Sequence, residues 1–170
     1  AAAASLVMAS NSSLVISGGD AYLGGNTTEL EQSSLEVSSG SLYMVSATQM
    51  RLRNSSVLIA ATNANATSNN SSTTGNDNNN STSVTTAEDS SKYVVLADTA
   101  LLDLAQSSLT VRLGSFVATD KSRLMLSRSQ LLVSGGNVEF GGNSSVRAED
   151  GSDIEVSGGS MIFGESAQAF

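Results

Sequence analysis

The side chains able to carry chemistry in this chain are carboxylates, guanidinium groups and asparagine amides, because the sequence has no histidine and no cysteine. Nucleophiles activated by histidine are therefore excluded, and so are the usual zinc sites. Hydrolysis by a pair of carboxylates stays open, since polysaccharide-cleaving enzymes use such pairs. The sequence predicts no catalytic residue, no metal ligand and no cofactor, and keeps the carboxylate enzyme as an alternative.

Asparagine amides offer a different chemistry, the attachment of glycans at N-x-S/T sequons. We expect glycans only if the chain passes through a eukaryotic secretory pathway. The candidate positions lie at predicted corners of the fold or in an insertion, where a glycan projects away from the core. They are Asn11, Asn26, Asn54, Asn65 and Asn143.

The charge balance limits the partners. Sixteen Asp and Glu residues against eight Lys and Arg residues give a net charge of −8, spread along the chain. This argues against nucleic acid or an anionic membrane as the main partner. No apolar run approaches the ~20 residues of a membrane span, so we expect no membrane insertion. The abrupt start without an initiator methionine suggests a piece of a longer polypeptide.

A repeated stretch shows which elements position these side chains. Residues 13–19 (SLVISGG), 130–136 (QLLVSGG) and 153–159 (DIEVSGG) are close copies. They belong to a finer pattern of one short strand every seven or eight residues, in which two apolar residues per strand point to one face. Such a short period predicts a solenoid, with each turn of chain stacked on the one before.

Three strands make one coil of the predicted solenoid. Taking every third strand gives inward residues at Leu14, Leu35, Val57, Leu109, Leu131 and Ile154, with 21 to 23 residues per coil outside an insertion. The chain is therefore predicted to be all-β, a three-sided parallel β-helix of about six coils standing roughly 29 Å tall. The rule for crossovers between parallel strands favours a right-handed coil.

Corner residues and an insertion complete the predicted plan. Gly-Gly pairs, for example Gly18-Gly19, fall at the first corner of a coil, and Asn-Ser pairs, for example Asn54-Ser55, at the third. Residues 62–91 are rich in Asn, Ser and Thr, lack apolar periodicity and read as a disordered-type loop inserted at a first corner. Residues 1–61 and 92–170 are predicted to form one continuous solenoid domain.

Outward-facing residues supply the candidate surfaces. On the third strand, Glu29 beneath Arg51 predicts an ion pair between coils. On the second strand, a largely apolar rank that includes Glu139 is either the ordinary preference of such residues for exposed strands or a lateral interface. The candidate interface residues are Tyr22, Tyr43, Val95, Val117 and Ile162.

The Ser/Gly/Asn-rich short strands, the absence of Cys and Pro, and the Ser-Gly-Gly corners resemble the β-solenoid stalks of secreted surface proteins, such as autotransporter passenger domains and polymorphic outer-membrane adhesins. Adhesins of the second kind carry G-G-A-[IL] and F-x-x-N motifs, to which residues 136–138 (GNV) and 140–143 (FGGN) are partly similar. The resemblance covers nearly everything outside residues 62–91. The Asn-rich insertion is typical of some protist proteins, and so extends the comparison to eukaryotic surface filaments.

The resemblance implies an extracellular or cell-surface location and a structural role. We expect a non-catalytic segment of a filament, stalk or adhesin that acts by stacking and lateral association. Its partners would be other copies or other chains of an extracellular assembly, together with glycans. A polysaccharide lyase or hydrolase on the same fold is the alternative. An ice-binding solenoid is less favoured, since Thr110 is the only threonine in its outward rank.

Overall fold

The computed structural model describes residues 5–25, 27–60 and 92–170. Within these ranges the chain forms short strands in three sheets and no helix, which confirms the all-β prediction. Numbered along the chain, sheet 1 contains β2 (Ser13–Ser17), β5 (Ser34–Ser38), β8 (Ser56–Ala60), β11 (Ser108–Arg112), β14 (Gln130–Ser134) and β17 (Asp153–Ser157). Sheet 2 contains β3 (Ala21–Gly24), β6 (Leu42–Val45), β9 (Lys92–Leu96), β12 (Gly114–Ala118), β15 (Val138–Phe140) and β18 (Met161–Phe163). Sheet 3 contains β1 (Leu6–Met8), β4 (Thr27–Glu31), β7 (Gln49–Arg53), β10 (Leu101–Ala105), β13 (Arg123–Ser127), β16 (Ser145–Glu149) and β19 (Gln168–Ala169).

Each sheet takes every third strand, and all neighbouring strands run parallel, so the chain is a three-sided parallel β-solenoid of about six coils. The predicted register of sheet 1 is confirmed at every step, from Leu14 beside Leu35 to Leu131 beside Ile154. The two-residue strand β19 pairs with β16 and was not predicted, because it lacks the pair of large apolar residues that marks the other strands. The right-handed sense of the coil stays a prediction.

The core consists of apolar ladders that run from coil to coil. Phe116 and Phe140 are fully buried with ring centroids 6.0 Å apart, and each large apolar side chain buried in this way contributes about 1.5–3 kcal/mol. Inward residues of the outermost coils are less covered. Met161 and Phe163 remain 40% and 42% exposed because they contact a neighbouring strand on one side only.

The inserted residues 62–91 lie outside the described residues, so the predicted loop stays a prediction. The strands before and after them continue the same sheets, since Leu42 of β6 pairs with Val94 of β9 and Val57 of β8 pairs with Leu109 of β11. The extra residues therefore enter between a strand of sheet 1 and a strand of sheet 2, which is the first corner, as predicted.

Two kinds of backbone constraint form the corners. At the first corner, a Cβ added to Gly40 would lie 1.7 Å from the carbonyl oxygen of Gly19 in the adjacent coil, so close stacking of the backbones requires glycine. At the third corner, every coil has at least one non-glycine residue with a positive φ, between 48° and 65°. These residues are Ser10, Asn11, Gln32, Asn54, Gln106, Arg128 and Asp150. Asparagine was expected at this corner, whereas two glutamines and an arginine in the left-handed region were not.

Candidate lateral interface

The predicted apolar rank on the outer face of sheet 2 is in register through six strands. Tyr22 pairs with Tyr43, Tyr43 with Val95, Val95 with Val117, and Val117 with Glu139. Ile162 continues the rank beside Glu139. The structure thus brings all five predicted interface residues into one line along the solenoid. Their positions follow from strand alternation, because every member lies between two inward residues of its strand.

The two tyrosines at one end of this rank are stacked. Their ring centroids lie 4.7 Å apart with an angle of 8° between the planes, which matches the spacing of strands in neighbouring coils. Tyr22 is 67% exposed, and its hydroxyl donates a long hydrogen bond of 3.5 Å to Asp20. Desolvation and then the Asp20 carboxylate raise the pKa of the Tyr22 hydroxyl above its ordinary value, with a further contribution from Tyr43.

On one side of the rank the outward positions carry small or medium-sized side chains, whereas on the other side they include Tyr93 beside Val95. Two residues further along each strand the chain has Gly24, Val45, Ala97, Thr119, Gly141 and Gly164. The one carboxylate in the rank, Glu139, accepts a hydrogen bond of 3.2 Å from the Asn137 side-chain amide, which satisfies part of its hydrogen-bonding capacity at the surface. The outer face of sheet 2 therefore presents a mostly apolar ridge that can pack against another flat surface.

Three of the five candidate glycosylation sites can be located. Asn11 and Asn54 are exposed at the third corner, two coils apart, and Asn143 is exposed at the second corner. Asn26 and Asn65 lie outside the described residues. At the three described sites the amide lies on the outside of the solenoid, as the prediction requires. Their modification stays a prediction.

Sheet 3 carries the charged face. The predicted ion pair is confirmed, with Arg51 Nη1 3.5 Å from Glu29 Oε1, but both side chains are nearly half exposed, and such pairs contribute at most about 1 kcal/mol. Arg53 and the corner residue Arg128 lie outside the central outward rank of sheet 3 and were not predicted as functional residues. They line a cleft together with Arg51.

In the described part of the chain, no group of three or more carboxylates is arranged to hold a metal ion. Among those same residues no helix has the length and apolar character needed to cross a membrane. Comparisons of the chain with protein-family models, with curated proteins and with solved structures found no match.

Proposed function

We propose that this chain is a non-catalytic structural segment of an extracellular filament, stalk or surface adhesin, and that it acts by stacking its coils into a rod and packing laterally through the ridge on sheet 2. The observation that carries the proposal is the continuous rank from Tyr22 to Val117 on the outside of an uninterrupted solenoid. Tyr22 is exposed, whereas Tyr43, Val95 and Val117 are half-buried. A contiguous apolar surface of this kind is typical of an interaction surface.

The size of the ridge predicts a weak contact. The ridge is six strands long at ~4.8 Å per strand and about four residues wide, so it covers an area of roughly 400 Å² on each partner. Two such faces bury less than the ~1,000 Å² expected of a stable specific interface. A single segment should therefore associate reversibly, and tight assembly would require the same contact repeated along a longer rod.

The support for an extracellular location is independent of the ridge. The chain has no cysteine that could form unwanted disulfides in an oxidising space, and its sequons at Asn11, Asn54 and Asn143 lie on the exposed outside of the corners. The parallel strand ladders are continuous in all three sheets, which suits a segment that must resist extension and proteolysis.

The test is sedimentation velocity of the chain over a wide concentration range. We expect reversible self-association that Tyr43→Asp weakens at least several-fold, because the substitution puts a charge in the middle of the ridge. Leu132→Asp is the matched control, since Leu132 is also a half-buried, outward, apolar residue, but on sheet 1. Circular dichroism would check that both variants keep their strands. Equal association of the two variants, or a monomer at every concentration, would contradict association through this face.

A further inference from the structure

Three basic residues of this acidic protein line one cleft on sheet 3, and three others, Lys121, Arg123 and Arg147, line a second cavity on the same sheet. Three of the eight Lys and Arg residues, namely Arg51, Arg53 and Arg128, line a depression of about 320 Å³ where sheet 3 meets the third corner. The first cleft differs from the second in that all three of its cationic groups are guanidinium groups. Guanidinium groups that are not fully paired within the protein remain available to an anionic ligand.

The fold builds this cleft in a simple way. Arg51 and Arg53 are two residues apart on β7, so both side chains leave the same face of sheet 3. Arg53, Ala105 and Ser127 occupy equivalent positions on three successive strands. Because the methyl group of Ala105 is short, a hollow remains between Arg53 on one side and Ser127 on the other. Arg128, held at the corner with a φ of 50°, borders the same hollow.

The arginines are only partly neutralised by the protein itself. Arg51 pairs with Glu29 at 3.5 Å and donates to Gln49 Oε1 at 3.2 Å. Arg53 and Arg128 form no side-chain ion pair within the described residues. Glu31 and Asp103 also line the cleft, so that with Glu29 three carboxylates lie on or beside it, but only Glu29 is within ion-pair distance of an arginine there. The exposed guanidinium groups of Arg53 and Arg128 therefore keep free donors for an oxyanion, which arginine binds through two parallel hydrogen bonds.

A neutral groove continues from the arginine cleft along the third corner. It has a volume of about 890 Å³ and shares Asn54 and Gln106 with the cleft. Its lining consists only of amides and hydroxyls, from Asn11, Ser12, Gln32, Ser33, Ser34, Asn54, Ser55, Ser56 and Gln106. Amide and hydroxyl groups both donate and accept, which suits the hydroxyl groups of sugars. No aromatic or large aliphatic side chain among the described residues lines the groove, so the apolar side chains of a peptide would find no pocket.

From these observations we infer that the cleft and groove together bind an acidic polysaccharide. The carboxylate or sulfate groups of the glycan contact Arg53 and Arg128, and its neutral hydroxyls contact the amides of the third corner. A glycan on Asn11 or Asn54 would occupy the same groove, so binding requires these two sites to be unmodified. The inference does not depend on the lateral interface, since sheet 2 contributes no residue to either cavity.

The test is isothermal titration of the unglycosylated chain at low salt with three probes: a short oligogalacturonate, its neutral methyl ester, and a sulfated heparin oligosaccharide. We expect one or both acidic probes to bind and the ester not to bind. Arg53→Gln with Arg128→Gln should lower the affinity about tenfold or more, which corresponds to the loss of at least one hydrogen bond to a charged group. Binding should also weaken as salt is raised.

Arg112→Gln is the matched control, because Arg112 is an exposed arginine at the end of a sheet-1 strand and lines neither cavity. Its affinity should stay within about twofold of the parent chain. Preference for the carboxylated or the sulfated probe would identify the acidic group. A glutamate-rich peptide is titrated in the same way as a control ligand. The inference is overturned if neither acidic probe binds, if Arg112→Gln weakens binding as much as the double variant, or if this peptide binds as tightly as the acidic glycans.

Discussion

The third and second corners of the solenoid close in different ways, although serine occurs at the equivalent position in both. At the third corner, Ser33, Ser55, Ser107 and Ser129 form a buried ladder. The backbone N–H of Ser55 donates to the hydroxyl of Ser107 at 3.1 Å, and that of Ser107 donates to the hydroxyl of Ser129 at 3.1 Å. Each hydroxyl in turn donates to a backbone carbonyl, as Ser107 does to Ala105 at 2.8 Å.

At the second corner the N–H groups of Ala100, Ser122 and Ser144 are satisfied by the backbone itself, although nearer the first coil the hydroxyl of Thr48 accepts from the N–H of Gly25 at 3.1 Å. The N–H of Ala100 donates to the carbonyl of Ala97, and that of Ser122 to the carbonyl of Thr119, both at 3.1 Å. The hydroxyls of Ser122 and Ser144 are fully buried and have no hydrogen-bond partner among the described residues. A hydroxyl is thus required where it replaces a backbone acceptor, and is dispensable where a local turn provides one.

The largest loss of stability should come from the first corner. There the close contact between the backbones of adjacent coils, rather than a hydroxyl or a turn, determines which residue fits. Gly40→Ala places a Cβ 1.7 Å from the backbone oxygen of Gly19, so the coils must separate. We expect a loss of about 3 kcal/mol in the free energy of unfolding, measured by urea denaturation. Gly19→Ala is the control, since its Cβ meets no atom within 4 Å and its φ is not positive. Similar losses of stability in both variants would show that the spacing of the backbones does not explain why residue 40 is glycine.

A smaller loss is expected at the third corner from Ser107→Ala. The substitution leaves the buried N–H of Ser55 without its acceptor, and an unsatisfied buried donor costs about 1–3 kcal/mol. Urea denaturation would measure the loss, and faster hydrogen exchange of the Ser55 amide would locate it. If stability and exchange are unchanged, the serine ladder does not replace a backbone acceptor.

The smallest effect, with the opposite sign, is expected at the second corner. Ser122→Ala removes a buried hydroxyl that has no partner in the described part of the chain, so stability should rise by about 1 kcal/mol or stay unchanged. The converse variant, Ala100→Ser, should lose a similar amount, because it adds a hydroxyl to the same rank. A clear loss of stability in Ser122→Ala would mean that the two corners do not differ in the proposed way.

Much of the architecture could be predicted because each strand repeats the same two-residue alternation. Leu35, Val57 and Leu109 mark equivalent positions at a nearly constant spacing, and this spacing predicts both the sheets and the register. The rank from Tyr22 to Ile162 follows from the same alternation. Asn26 and Asn65 could be proposed as glycosylation sites from their sequons, but they lie outside the described residues.

The arginine cleft could not be predicted in the same way. Arg53 and Arg128 are 75 positions apart in the sequence, and they become neighbours of one hollow only when β7, β10 and β13 stack in register. The small size of Ala105 matters only once Arg53 and Ser127 are placed on either side of it. Neither Arg53 nor Arg128 is the central outward residue of a strand, so the alternation within single strands does not indicate this arrangement.

The sequence by itself determined the three-sided solenoid, its register and the apolar rank on sheet 2, because these depend on local alternation repeated along the chain. Only the tertiary structure decided what each corner serine does. Ser107 and Ser122 have similar positions in their coils, yet one hydroxyl accepts from the adjacent coil and the other has no partner in the described residues. The difference depends on whether a backbone carbonyl lies within hydrogen-bonding distance of the serine N–H, and that distance is set by the shape of the corner rather than by the identity of the residue.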